Sequence, residues 1–399
     1  MTPPGPSARP DDDLAAGSDL IGPGGKVDQD AVRTYFETAG DDDRPTIRFV
    51  LQRDRQIRLD KYLAIRVGFM SRTQIQRLID DGHTTHNGKP GKASVKVREG
   101  DTVEVTLPPP PSGDIVPEDI PVTVLHEDDK LIVLNKQADI IVHPARSEKS
   151  GTLINALAHR FANVSGGALS GVGEEFARPG VVHRLDRHTT GCIVFAKDDE
   201  THWKLGQQFE QRTVDKRYLA IVHGNVEANG QVIELPIGPS PSRVKGAREK
   251  QVVRHDNLGK NSITICRVRE RFRLQDRGSA VGDEHRTLVE LELKTGRTHQ
   301  IRVHLSHIGH PIVGDEMYGG RPHLNERGEP VLSRQALHAG LLAFEHPATG
   351  EACVFCAPVP DDMAWVIRDL RARATTDEPV HVEGTVPLSR FGIGREDAS

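Results

Sequence analysis

The stretch RPGVVHRLDRHTTGCIVFA, residues 178–196, decides how this chain is read. At its centre, in HRLDRHTTG, one acid, Asp186, stands among His183, Arg184, Arg187 and His188. Positive charge beside a carboxylate favours its charged form, so the surroundings keep Asp186 ionised at neutral pH. An ionised carboxylate serves as nucleophile or as base, and flanking arginines suit an anionic substrate such as RNA. The plainer reading of the same residues is a charge pair on a surface loop. The apolar run Cys192–Ala196 that follows reads as a strand.

The string HRLDRHTTG closely resembles the signature of the ribosomal-type pseudouridine synthases of the RluA/RluC/RluD type, whose catalytic aspartate stands at the position of Asp186. The resemblance continues in the family's order through TVLHEDDKLIVLNKQADIIVHP (123–144), VDKRYLAIVHG (214–224), TGRTHQIRVHLSHIGHPIVGDEMYG (295–319), RQALHAGLLAFEH (334–346) and FCAPVP (355–360). Thr190 stands where serine is expected, and it keeps the hydroxyl. The resemblance implies an isomerase with no cofactor, because the uracil leaves the ribose through N1 and rejoins it through carbon 5 with nothing entering from outside. It implies three catalytic residues: Asp186, as nucleophile at the sugar or base on a ribose proton; Arg302, holding that carboxylate by charge-assisted, even bidentate, hydrogen bonds; and Tyr218, packing against the uracil. Arg184 matches the residue that fills the gap left by the extruded base. Arg297 is a second candidate for holding the carboxylate. Lys136, Lys216, His183 and Arg187 are candidate RNA contacts.

Upstream, residues 46–108 read as a separate module. Leu59, Tyr62, Leu63 and Val67 recur at near-helical spacing, and Ile75, Leu78 and Ile79 form the core stripe of a second helix. Ser71 and Gln74 form a capping box, and Gly82 marks the helix stop. Asn87-Gly88 signals a hairpin turn, and Thr102–Leu107 alternates as a strand. The pattern RLDKYLA…SRTQIQRLIDDG…NGKP…VREGDTVEV resembles the S4 RNA-binding domain, although His83-Thr84-Thr85-His86 stands where valines are expected. Arg58, Lys61, Arg66, Arg72 and Arg77 decorate the helices. The resemblance implies that Arg58, Lys61, Arg72 and Arg77 meet RNA; the alternative is a helical cap with solvated arginines. Prolines 108–111 form a stiff linker.

The chain of 399 residues carries a net charge of −5, which argues against RNA binding until it is divided. Residues 1–45 hold 10 acids and 4 bases, and residues 374–399 hold 5 acids and 2 bases, leaving 42 acids and 46 bases between them. Within residues 47–107 there are 12 bases and 7 acids, a local basic face of the kind phosphate contact requires. The tail 1–45 is too poor in apolar residues to offset ordering and reads as disordered, with at most a turn of helix over Val32–Phe36. The tail 375–399 reads as flexible. The sequence shows neither a run of about 18 apolar residues nor a secretory leader, and four scattered cysteines suit a reducing compartment. The cytoplasm is the expected location, and a monomer the expected state by family habit.

The body, 109–374, reads as α+β. Leu131–Leu134, Tyr218–Val222 and Leu288–Leu293 are predicted strands. Thr152–Arg160 and Thr201–Arg212 are predicted helices, and a helical face of Ile301, Leu305 and Ile308 stops at Gly309. The resemblance implies the pseudouridine synthase fold, a long mixed, mainly antiparallel sheet with flanking helices and a central cleft, preceded by the small α/β module.

Three rivals stand beside the enzyme reading. A metal enzyme would draw on His299, His304, His307 and His310 with Asp315, but on a helix His299 and His304 lie about 140° apart. Cys353 and Cys356 fall on opposite faces of a strand, which favours buried thiols over a metal pair. A glycoside hydrolase needs a second positioned acid, which Glu210 or Glu290 would have to supply. A non-enzymatic RNA-binding or ribosome-assembly protein would have no use for Asp186, Tyr218 and Arg302 together. The expected substrate is structured RNA, large-subunit ribosomal RNA before transfer RNA, with no metal and no membrane.

Overall fold

The computed structural model describes the chain apart from residues 1–13, 17–18, 23, 39–43, 71, 109–114, 145–149, 173–178, 243–249, 275–283, 326, 377–379 and 395–399. The acidic triplets, the Ser71 cap and most of the proline linker lie outside the described residues. The chain divides into two compact units, one up to Ser112 and one from Gly113 onward.

In the first unit an antiparallel sheet runs in the order Leu14–Ala16, Thr46–Val50, Thr102–Thr106, Thr84–His86, Lys89–Pro90. Two residues, Asn87 at φ 52° and Gly88 at φ 72°, join the last two strands, and both left-handed values match the twist of a two-residue hairpin. The apolar stripes put Leu59, Tyr62 and Leu63 of the helix Leu59–Arg66, and Ile75, Leu78 and Ile79 of the helix Arg72–Asp80, into one core with Phe49, Val103 and Val105.

The reading of residues 1–45 as disordered is corrected over 19–38. Asp28 accepts hydrogen bonds from the amides of Asp30 (2.9 Å) and Ala31 (3.1 Å), capping a ten-residue helix, Gln29–Thr38. Leu20, Val27, Val32 and Phe36 then complete the module's core. Arg66, expected on the surface, is 5% exposed, and its Nη1 donates to the carbonyls of Gly24 (3.1 Å) and Gly25 (3.2 Å). The segment's few apolar residues have nothing to bury against locally; the module supplies the surface.

The second unit is built on a ten-stranded mixed sheet. Its main path runs Gly230–Glu234, Ile263–Leu274, Glu284–Leu293, Asp215–His223, Leu337–Glu345, Thr190–Ala196, Leu131–Lys136, Thr123–Glu127. Every pairing is antiparallel except that of Thr190–Ala196 with Leu337–Glu345. Alternation along the inner strands feeds two cores. Ile193 and Phe195 join Leu153, Leu157, Ile301, Met363 and Leu370 on one face, while Cys192 and Val194 join Leu205 on the other. The flanking helices Leu153–Arg160 and Asp199–Gln211 start where Thr152 and Asp198 cap them. Cys353 and Cys356 are half-buried and pack against opposite cores.

The reading of 375–399 as flexible is also corrected over 380–394. Phe391 is fully buried, Ile393 is 5% exposed, the Val386 amide donates to Glu290, and the Ile393 carbonyl accepts from Arg371 Nη2 at 2.9 Å. This strap, 380–394, packs against the ten-stranded sheet.

Candidate active site

Asp186 sits on the loop that enters the parallel strand Thr190–Ala196, at the middle of the sheet. Gly191 lies opposite Ala339 in that parallel pair with φ 114°, and a Cβ there would meet the Ala339 carbonyl oxygen at 2.2 Å. Only glycine permits this approach. Next to it the Thr190 hydroxyl donates to His338 Nδ1 at 2.8 Å, because His338 Nε2–H is spent on the Ala357 carbonyl at 3.1 Å. The hydroxyl shared by serine and threonine therefore ties two strands together.

The loop itself is held through its backbone. Thr189 N–H donates to the Asp186 carbonyl at 3.0 Å, closing a four-residue turn. Lys136 Nζ donates to the carbonyls of Arg187 and Gln137, each at 2.8 Å. Arg334, gripped by Asp362, donates Nη1 to the His188 carbonyl at 3.1 Å. His183 accepts from the Val194 amide at 3.1 Å and stacks on Phe209 at 4.6 Å.

These contacts correct one expected RNA contact, Lys136, and give His183 a second task in the loop. Lys136 is fully buried and spends its ammonium on the loop; burial drives its pKa down to about 7 against the pull of the Asp186 charge. His183 is pushed by burial to about 3 and stays neutral. Lys136 is closed to a phosphate, whereas His183 is half-buried.

The Asp186 carboxylate meets Arg302 end-on: Arg302 Nη1 donates to Oδ2 at 3.1 Å. The bidentate fork expected there faces Asp315 instead, with Nε to Oδ2 at 2.7 Å and Nη2 to Oδ1 at 2.8 Å. Arg302 is 6% and Asp315 3% exposed, and the guanidinium carbon lies 4.9 Å from the Tyr318 ring centroid. Burial alone would lower the Arg302 pKa; the Asp315 hydrogen bonds and the Asp186 charge outweigh it and raise the pKa. Burial alone would raise the Asp186 pKa; the charges of His299, when that ring is protonated, and of Arg302 and Arg184, with the Arg302 hydrogen bond, hold it below the ordinary carboxylate value. Tyr218, on the central strand Asp215–His223, is 8% exposed; burial, with the Asp186 charge added, raises its pKa well above the ordinary phenol value, so it stays protonated.

The helix Gln300–His307 carries Arg302 on a rigid mount. Gln300 bonds the Ile263 carbonyl and Thr264 hydroxyl, both at 3.0 Å, and accepts from the Thr295 hydroxyl at 2.7 Å. The histidine cluster disperses. His304 Nδ1 meets the Thr264 hydroxyl at 2.9 Å and its Nε2 the Leu235 carbonyl at 3.0 Å, leaving no lone pair for a metal. His310 Nδ1 meets the His223 carbonyl at 3.0 Å. Among the described residues no three His, Cys, Asp or Glu side chains form a metal-binding group. Glu290 is buried against Arg269 and Arg217 on the strand Glu284–Leu293, so it offers no second free acid.

The other expected RNA contacts lie where solvent reaches them. Arg184, Arg187, Lys216 and Arg297 are half-buried around the loop and the start of the helix; Lys216 Nζ stands 5.5 Å from the Phe209 ring. In the first unit Arg58, Lys61, Arg72 and Arg77 are exposed. Arg58 and Arg72 share one fully buried acceptor, Asp60, at 3.0–3.2 Å. Burial would raise the Asp60 pKa, but hydrogen bonds from Gln76, Arg58 and Arg72 hold it at about 2. Sequence reasoning missed Asp60 and weighed Asp315 and His299 only as metal ligands; the acid in GDEMYG, thirteen residues after Arg302, was the available signal.

Comparison with known proteins follows the same lines. Residues 130–307 match the family model described as RNA pseudouridylate synthase, and residues 57–103 match the S4 domain. An uncharacterised RNA pseudouridine synthase of Bacillus subtilis is 41% identical, covering 79% of this chain and 94% of its own length. Ribosomal large subunit pseudouridine synthase D of Vibrio parahaemolyticus is 37% identical over 79% of this chain and 91% of its own, and that of Escherichia coli is 36% identical over the same shares. Among the described residues no helix is long and apolar enough to cross a membrane.

Proposed function

Since the chain belongs to the RNA pseudouridine synthase family, we propose that it isomerises specific uridines in large-subunit ribosomal RNA, with Asp186 as the catalytic residue. The observation that carries the assignment is the carboxylate itself. It is held ionised at the middle of the sheet, its loop is held through the carbonyls of Arg187 and His188, and one oxygen is bound by an arginine that a second acid aims. Electrostatics and orientation are set before substrate arrives, which is what catalysis by a single carboxylate requires.

The reaction breaks the bond from N1 to the ribose, turns the base, forms the bond from carbon 5 to the ribose, releases the carbon 5 proton to solvent, and leaves N1 protonated, so the formula is unchanged. Asp186 enters as nucleophile at the sugar or as base on a ribose proton. Tyr218, protonated in the ligand-free protein, serves as a packing surface for the uracil. The uridine must leave its stack first, at a cost of about a few kcal/mol, and Arg184 fills the gap. The S4 domain supplies phosphate contacts through Arg58, Lys61, Arg72 and Arg77, and Lys216, Arg187 and Arg297 add contacts near the loop. The enzyme works in the cytoplasm as a monomer.

The relatives named for the large ribosomal subunit support ribosomal RNA over transfer RNA. The test is tritium release from uridine labelled at carbon 5, run on transcripts of both RNAs. Wild type should release tritium from large-subunit RNA, and Asp186→Asn should release none while binding the RNA normally. Turnover by Asp186→Asn would overturn the residue assignment; release from transfer RNA alone would overturn the substrate.

A further inference from the structure

His299 occupies a position that its backbone does not favour. It is the N-cap of the helix Gln300–His307 at φ 56°, ψ 18°, in the left-handed region, and its side chain makes no capping hydrogen bond. Glycine is the cheapest residue for that conformation, and a strained non-glycine residue beside a reacting group is grounds for asking what the side chain does. Its side chain is 15% exposed, and its Nε2 lies 3.9 Å from Asp186 Oδ2.

The surrounding hydrogen bonds define which ring nitrogen carries the proton. His299 Nδ1 lies 2.9 Å from the Tyr318 hydroxyl oxygen, which already accepts the Gln251 amide at 3.0 Å. Among the described residues the Tyr318 hydroxyl has no other acceptor, so its proton goes to His299 Nδ1. That leaves the proton of the neutral ring on Nε2, facing Asp186. Arg302 Nη1 binds the same Oδ2, and Oδ1 takes no hydrogen bond from any described residue.

We propose that His299 is a second positioning residue for the reacting carboxylate: its Nε2–H and Arg302 Nη1 together engage Oδ2 of Asp186 and reserve Oδ1 for the substrate. The inference rests on the pseudouridine synthase reading of this site. The 3.9 Å separation exceeds a hydrogen bond; catalytic hydrogen bonds of this kind tighten when substrate seats, and here a shift of about 1 Å suffices.

Three measurements test it. His299→Gly suits the left-handed backbone, so its melting temperature should equal or exceed wild type while kcat falls about 10- to 100-fold, the worth of one hydrogen bond to a charged group. KM for the RNA should stay within about twofold, because the histidine acts on the carboxylate and not on RNA affinity. His299→Gln places an N–H donor near the Nε2 position and should recover much of the lost kcat. In histidine-labelled protein, the nitrogen-15 signals lost in His299→Gln should belong, in wild type at neutral pH, to a neutral ring protonated at Nε2. A glycine variant with full kcat, a glutamine variant no better than glycine, or a ring protonated at Nδ1 would each overturn the proposal. The spectrum needs no turnover: wild type that modifies no RNA yet shows the Nε2–H ring would refute the function and leave the placement of His299 standing.

Discussion

Replacing Asp315 by asparagine tests whether Arg302 is aimed from behind. In the native protein two hydrogen bonds, at 2.7 and 2.8 Å, fix the buried guanidinium as a fork against Asp315, and the remaining nitrogen reaches Asp186. Asparagine keeps one acceptor, loses the charge, and turns an NH2 toward a guanidinium N–H. One charge-assisted hydrogen bond, worth about 1.5–3 kcal/mol, disappears, and the other weakens to roughly half. Breaking a buried ion pair by removing one partner costs about 3–5 kcal/mol. Arg302 keeps Asp186 as a counter-charge, which places the expected loss at the lower end, about 3 kcal/mol. At about 2–4 °C per kcal/mol for a unit of this size, the melting temperature should fall by roughly 6–12 °C. Turnover should fall further than stability explains, because a misplacement of about 1 Å in a reacting group costs about 100-fold. Thermal melting by circular dichroism and tritium release well below the transition measure both. A melting temperature within about 2 °C of wild type, with turnover essentially unchanged, would refute the view that Asp315 orients Arg302.

Phe391→Ala should destabilise the catalytic unit by about 3–5 kcal/mol, since the ring is fully buried and fills the space beside Gly340 where a Cβ would meet it at 2.7 Å; for the same reason truncation after residue 375 should lower the melting temperature, and a truncated protein that melts like wild type would refute the strap. Lys136→Met should change how stability depends on pH. The folded pKa of Lys136, about 7, lies below the unfolded value, so its contribution is fully present above about 10.4 and is lost as pH falls toward 7. In that window wild type should gain up to about 1.4 kcal/mol per pH unit relative to the methionine variant, measured by urea unfolding, and equal slopes would show that the amine is not buried in this way. The same variant should also lose turnover, because the Arg187 carbonyl loses its donor.

Residues that act through local pattern were legible in the sequence. The apolar stripes placed the two module helices, Asn87-Gly88 placed the hairpin turn with left-handed values at both residues, and Gly309, at φ 87°, stops the helix that carries Arg302. HRLDRHTTG isolated Asp186 because a lone acid among cations is itself a local property. What the sequence left open depends on partners distant along the chain. Lys136 read as a cation for phosphate, and only its burial, with its ammonium bonded to the carbonyl of Arg187, turns it into a support for the loop. Asp315 and His299 entered only in the rejected metal-enzyme reading, because residue type and spacing report donor atoms, not which way those atoms point.

The chain termini make the same point. Leu20, Val27, Val32, Phe36 and Phe391 are too sparse to form a core among glycines, prolines and acids, and they fold against surfaces made elsewhere in the chain. By itself the sequence determined the two module helices, the main strands and helices of the body, and the charge setting of Asp186, because periodicity, turn chemistry and charge context act over a few residues; Arg302 and Tyr218 were named by resemblance to the family's motifs. Tertiary structure alone decided which charges are buried, which oxygen of Asp186 is bound, and that Arg302 divides its guanidinium between two acids, because burial and hydrogen-bond geometry exist only once distant segments meet.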